Sequence, residues 1–198
     1  MSVERRFIKR YEIGDTPWDA GETDNNLIEV VEKQKIAPCK ALEVGCGNGD
    51  NAIWLARKGF VVTGLDISDI AAENAREKAK LAGVECHFTG ADFFNDRIPG
   101  TPFGFIFDRG CFHTFDAPEE RTKYAEIVAA NLDNNGHWLT LIGNADERTE
   151  EPGPPRRAAN DIVSACEPFL EILLLYSSQF TSKKPVPPRN WVCLMKKR

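Results

Sequence analysis

Short apolar runs alternate along the chain with stretches in which apolar residues recur every three to four positions. The first pattern predicts buried strands and the second amphipathic helices. Their steady alternation is the signature of crossover units on a mostly parallel sheet, an α/β fold with helices on both faces. A first helix is expected from about Asp24 to Gln34, carrying Leu27, Val30 and Val31 on one face and stopping before Pro38. Strands follow at Lys40 to Val44, Val61 to Leu65, Val84 to Thr89, Phe103 to Phe107, His137 to Ile142, Leu170 to Tyr176 and Asn190 to Met195. Helices are predicted between them at Asn51 to Lys58, from Ser68 as cap to Gly83, from Asp116 onward, and at Ala158 to Cys166. Asp116 with Glu119 reads as a capping box ahead of a stripe of Tyr124, Ile127, Val128 and Leu132. The polar, proline-bearing stretches Glu147 to Arg157 and Ser182 to Arg189 read as loops.

A length of 198 residues suits one domain and is short for two. No apolar run approaches the length of a membrane span, and the mixed-charge start lacks the pattern of a secretory signal, so a cytoplasmic protein with no membrane partner is expected. A net charge of -5 disfavours nucleic acid as a partner. The six cysteines form no CxxC pair and no histidine stands at ligand spacing, so no metal is expected; Cys111 is the thiol to watch. No long exposed apolar seam stands out, and a monomer is expected.

The chemistry concentrates where the first strand ends. The segment Glu43-Val44-Gly45-Cys46-Gly47-Asn48-Gly49 places an acid before three alternate glycines, whose backbone takes positive φ and lets a ligand approach closely. Asp66, at the end of the second strand, is positioned to accept from both hydroxyls of a ribose, with Ile67 beside it. Asp92 and Phe93 follow the third strand, where they suit an adenine. The dinucleotide fingerprint is GxGxxG, whereas these glycines stand as GxGxG. An extra carboxylate at Glu43 repels a pyrophosphate and attracts an ammonium or sulfonium. The reading is S-adenosylmethionine rather than a nicotinamide cofactor.

On these motifs the sequence resembles the class I S-adenosylmethionine-dependent methyltransferases, with a Rossmann-like seven-stranded sheet whose last strand is antiparallel. Thr16-Pro17-Trp18-Asp19-Ala20-Gly21, Asp108-Arg109-Gly110 and Pro152-Gly153-Pro154-Pro155 resemble the branch of thiopurine S-methyltransferase and the thiol and halide methyltransferases. The resemblance implies that residues 1–37 cover the cofactor site, that residues 38–198 form the methyltransferase domain, and that the two make one structural unit. It also implies that Trp18, Gly45, Gly47, Gly49, Asp66, Ile67, Asp92, Phe93 and Arg109 hold cofactor, with S-adenosylhomocysteine as product. The acceptor is then a small molecule, a thiol or other soft nucleophile. Arg109 is the expected thiolate-stabilising group, and pairing with Asp108 is its bland alternative. His113 is the candidate base if the acceptor is instead an amine or a hydroxyl, and an oxygen, nitrogen or metalloid-oxyanion acceptor on the same cofactor site is the alternative. A cofactor-binding module without catalysis is a further alternative.

Overall fold

The computed structural model describes residues 3–147 and 153–198. Seven strands form one sheet in the order β3-β2-β1-β4-β5-β7-β6, with β1 at Lys40–Val44, β2 at Val61–Asp66, β3 at Cys86–Gly90, β4 at Phe103–Arg109, β5 at Leu132–Gly143, β6 at Leu170–Gln179 and β7 at Arg189–Lys197. The first five strands pair in parallel; β7 inserts antiparallel between β5 and β6. The chain order reverses between β1 and β4, so the crevice above their carboxyl ends is where an open α/β sheet binds ligands.

Side chains on the central strands alternate between two cores. Ala41, Phe105 and Phe107 face α2 (Asn25–Lys33), α3 (Asp50–Arg57) and α4 (Asp69–Ala82). Leu42, Val44 and Ile106 face α5 (Pro118–Asn131) and α6 (Ala159–Cys166). Helices therefore cover both faces, and both faces of the central strands are apolar. The small face of Ala72, Ala75 and Ala79 brings α4 close to the sheet.

Local chemistry accounts for both ends of α4 and the start of α5. Ser68 Oγ accepts from Ala71 N at 3.3 Å to start α4, and Gly83 ends it in the left-handed conformation at φ 68°. The expected capping box at Asp116 is displaced by one residue. Pro118 occupies the first turn of α5, so Ala117 is the N-cap, and its N–H donates to the Glu120 carboxylate at 3.4 Å. Asp116 stands outside the helix and pairs with Arg157 at 2.6 Å.

One α-helix among the described residues was not expected from sequence: α1, Val3–Glu12, which crosses the carboxyl edge of the sheet. Phe7 and Tyr11, four residues apart, share its inward face, and both pack edge-on to Trp18, with ring centres 5.1 and 5.9 Å away. No helix among the described residues is long and apolar enough to cross a membrane.

Candidate active site

A cavity of about 720 Å³ opens above β1, β2 and β4, beneath α1 and the Trp18 segment. Trp18, Gly45, Asp66, Ile67, Asp92, Phe93, Arg109 and His113 all line it. Sequence reasoning missed Phe7 and Tyr11 from α1, Phe94 and Tyr124 from the purine side, and Phe180 after β6. The four-residue spacing of Phe7 and Tyr11 was the available signal for the first two.

At the glycine turn the three glycines do different work. Gly45 lines the cavity at φ 66°, and a Cβ there would collide with Cys111 Sγ. Gly47 lies beneath the Tyr11 hydroxyl, 3.0 Å from where its Cβ would stand. Gly49 does not face the cavity: a Cβ would press on Ala75 and Phe88 at 3.0 and 3.1 Å, so this glycine lets α4 and β3 pack against the turn. The cofactor role expected of Gly49 is replaced by a packing role.

Glu43 is likewise turned away from the cavity. It is buried on the α3 face, where Oε1 accepts from Asn51 Nδ2 at 2.9 Å. Burial pushes its carboxyl up to about 8, against the opposing hydrogen bonds from Asn51 and the Ala52 N–H. It braces the turn from behind, and the direct attraction for a sulfonium expected from sequence has no geometric basis.

Asp66 sits at the end of β2. Its Oδ2 accepts from Gly47 N at 3.0 Å and its Oδ1 from Ser68 N at 2.9 Å, which fixes the carboxylate at the cavity edge with lone pairs to spare. Burial raises its pKa, opposed by those two backbone donors. Asp92 accepts from Phe94 N at 2.8 Å and Asn95 Nδ2 at 2.7 Å. Phe93 and Phe94 pack on Tyr124 with ring centres 5.1 and 5.9 Å away. A cradle open at Gly45, a fixed carboxylate at Asp66 and an aromatic wall at Phe93 and Phe94 fit S-adenosylmethionine in its usual order of methionine, ribose and purine.

Arg109 does not pair with Asp108. Its Nε donates to Asp24 at 2.8 Å, and its two terminal nitrogens donate to Trp18 O at 3.1 Å and Thr181 O at 2.6 Å. Its guanidinium stacks on Phe180, 4.9 Å from the ring centre. Asp108 points into the sheet core, accepting from Cys111 N, Phe112 N and Trp138 Nε1 at 3.0, 3.3 and 2.9 Å. Burial pushes it up to about 6 despite these donors. Asp108 shapes the Gly110 to Thr114 turn, and Arg109 joins the segments on either side of the cavity.

His113 accepts from Gly143 N at 2.8 Å through Nδ1, so the neutral ring carries its proton on Nε2. Burial, then Arg157 and Arg109, lower its pKa to about 3. The ring is a fixed neutral donor, which overturns its expected use as a base. Cys111 lines the cavity, where its thiol donates to Val44 O at 3.3 Å and desolvation holds it well above its ordinary pKa.

Gly153, Pro154 and Pro155 line the cavity; Pro152 lies outside the described residues. Arg156, Arg157 and Arg189 do not line it, and instead fasten loops through Glu147, Asp116 and Ser177. Among the described residues no cluster of side chains suits a metal ion.

With this geometry in place, comparison with known proteins decides the family. Residues 3–180 match the family described as thiopurine S-methyltransferase. The chain belongs to that family. It is thereby an S-adenosylmethionine-dependent methyltransferase by kinship. The chain is 34% identical over 149 residues to the protein named probable thiol methyltransferase 2 of Arabidopsis thaliana, covering 74% of this chain and 64% of that protein. It is 33% identical over 158 residues to thiocyanate methyltransferase 1 of Brassica oleracea, covering 79% and 68%. The chain thus spans about two thirds of the length of these relatives. A solved structure titled for the conversion of a disulfide bond into a thioacetal group during echinomycin biosynthesis superposes with a TM-score of 0.83 at 22% identity, covering 99% of this chain and 93% of that one. That likeness is one of fold.

Proposed function

We propose that this thiopurine S-methyltransferase family member transfers the methyl group of S-adenosylmethionine to the sulfur of a small acceptor that is already anionic when it reacts. S-adenosylmethionine, when bound, supplies a methyl group on a sulfonium, from which a neutral thioether departs. In this reading the chain's own residues orient the partners and exclude water, which suffices for an in-line displacement. Asp66 holds the ribose, Asp92 and Phe93 the purine, and Gly45 admits the methionine portion. Trp18 and Phe180 give the reaction a partly dry, aromatic surround. That favours a step in which a thiolate and a sulfonium lose charge together.

The observation that carries the proposal is the hydrogen bond from Gly143 N to His113 Nδ1. It leaves the ring a donor at Nε2, suited to steadying an anion and unsuited to removing a proton. Arg109 adds positive charge nearby, although its donors are committed to Asp24, Trp18 O and Thr181 O. The thiol and thiocyanate methyltransferase relatives support sulfur as the acceptor atom. The six cysteines, none in a disulfide, support action in the cytoplasm. The exposed apolar residues are scattered, with Ile13 after α1, Val61 on β2, Ile70 and Leu81 on α4, Leu173 on β6 and Val186 in the loop before β7, which supports a monomer.

The test is the pH profile of kcat/KM for a series of thiols of different acidity. The midpoint should move with the pKa of each thiol, and His113→Gln should lower the rate without moving it. A single midpoint shared by all thiols would assign the proton to an enzyme base and end this reading.

A further inference from the structure

The Trp18 segment, between α1 and α2, is fastened on two sides of the cavity beneath it. Toward β4 the joint is deep: Arg109 donates to Trp18 O at 3.1 Å and is itself held by the buried Asp24 at 2.8 Å. Toward the glycine turn the joint is a half-buried pair of side chains, in which Asn48 Nδ2 donates to Asp19 Oδ2 at 2.6 Å. Asn48 belongs to the turn itself and stands between Gly47 at φ 53° and Gly49 at φ 82°.

Both partners are set in place by other bonds. Asp19 N donates to Thr16 O at 2.9 Å and Asp19 Oδ1 accepts from Gly21 N at 2.7 Å, so the local turn aims the second carboxylate oxygen at Asn48. On the other side Asn48 Oδ1 accepts from Asn74 Nδ2 of α4 at 3.2 Å. The amide is a relay that donates to the covering segment and accepts from the sheet's own helix. Because a carboxylate can only accept, Asp19 fixes which end of the amide faces it. An apolar side chain at position 48 could do neither, and a carboxylate there would meet Asp19 as a like charge.

We propose that the Asp19–Asn48 bond is a latch that sets how fast S-adenosylhomocysteine leaves, with Asn48 a positioning residue that acts on the cofactor through Asp19 and Trp18. The inference rests on the cofactor lying beneath Trp18, as in the reading above, and on no particular acceptor. Trp18 follows directly: it precedes Asp19 in the chain, lines the cavity, and donates through its indole to Tyr11 Oη at 3.3 Å. Tyr11 Oη in turn lies over Gly47, on the same turn that carries Asn48. A charge-assisted bond holds the segment down firmly, yet it is a contact that opens without unpacking the sheet. Covers that must open before product leaves set turnover wherever release is slower than chemistry.

The experiment follows tritiated S-adenosylhomocysteine leaving the purified chain during a chase with excess unlabelled compound, with the melting temperature of each variant as the folding control. Asn48→Asp sets two carboxylates face to face and should speed release at least about tenfold, the effect of losing one hydrogen bond to a charged group. Asp19→Ala, which creates no clash, should speed it to a similar extent. The double variant Asp19→Asn, Asn48→Asp exchanges the partners. Its amide at position 19 still accepts from Gly21 N and donates to position 48, whose carboxylate accepts from it and from Asn74. Release should then return to within about threefold of the wild type. A double variant that releases as fast as Asn48→Asp, or single variants that melt earlier yet release at the wild-type rate, overturns the latch and leaves a structural contact. A wild-type chain that binds no S-adenosylhomocysteine overturns instead the cofactor placement on which the latch rests.

Discussion

Asp24 and Arg109, 85 residues apart in the chain, meet at 2.8 Å and tie the segment before α2 to the end of β4. Asp24 is fully buried and also accepts from Thr181 N at 3.1 Å and Asn26 N at 3.0 Å. The pair therefore holds three segments around the cavity. Arg109→Ala should cost about 3 kcal/mol in urea unfolding, since it strands a buried carboxylate. Asp24→Asn combined with Arg109→Ala should cost clearly less than the sum of the two single changes. Additive losses would show that the pair does not act as a unit.

Glu43 makes stability depend on pH in an uncommon direction. Its folded pKa, pushed up to about 8 from 4.5, means the folded chain holds the proton more tightly than the unfolded chain does. The folded state therefore loses stability as pH rises from about 4.5 through 8. Glu43→Gln should flatten that slope in unfolding free energies measured from pH 5 to 9. A slope unaltered by the substitution would place its cause elsewhere.

The glycine turn separates ligand contact from packing. Gly45→Ala should weaken S-adenosylhomocysteine binding at least tenfold by calorimetry, because the new Cβ meets Cys111 at the cavity wall. Gly49→Ala should act mainly on stability, costing about 1–3 kcal/mol through overpacking against Ala75 and Phe88 and the positive φ of 82°. Equal effects of the two on binding would contradict this division.

Asp66→Ala should reduce S-adenosylhomocysteine affinity by about 10- to 100-fold, the loss of hydrogen bonds to a charged acceptor. The same variant frees the N–H groups of Gly47 and Ser68, so its melting temperature should also fall. Asp66→Asn separates the two effects, since an amide oxygen still accepts from one of those donors.

The fold was legible wherever burial and periodicity agreed. The strand Lys40–Val44 has four buried residues behind an exposed Lys40, and its limits were read directly. Ends were lost where polar residues continue a strand. Ser177, Ser178 and Gln179 extend β6, an edge strand whose pairing with β7 asks nothing of side-chain polarity. The helix α1 was hidden because Arg5, Arg6, Lys9 and Arg10 mask the single inward pair of Phe7 and Tyr11.

In the site, sequence spacing located Asp66 and Asp92 because strand ends in this topology converge on one edge. Spacing alone could not tell which way a side chain turns. Glu43 alternates to the face opposite Leu42 and Val44, and Gly49 opens toward α4. The state of His113 depends on Gly143, 30 residues away on a strand brought near only by the fold.

Methyl transfer to sulfur is tested most directly by mass spectrometry of the purified chain with S-adenosylmethionine carrying a deuterated methyl group and a set of aryl and alkyl thiols. The account predicts a deuteromethyl thioether in amounts matching the S-adenosylhomocysteine formed, from at least one thiol. Methylation confined to oxygen or nitrogen acceptors, or bound S-adenosylhomocysteine with no methylated product at all, would contradict it.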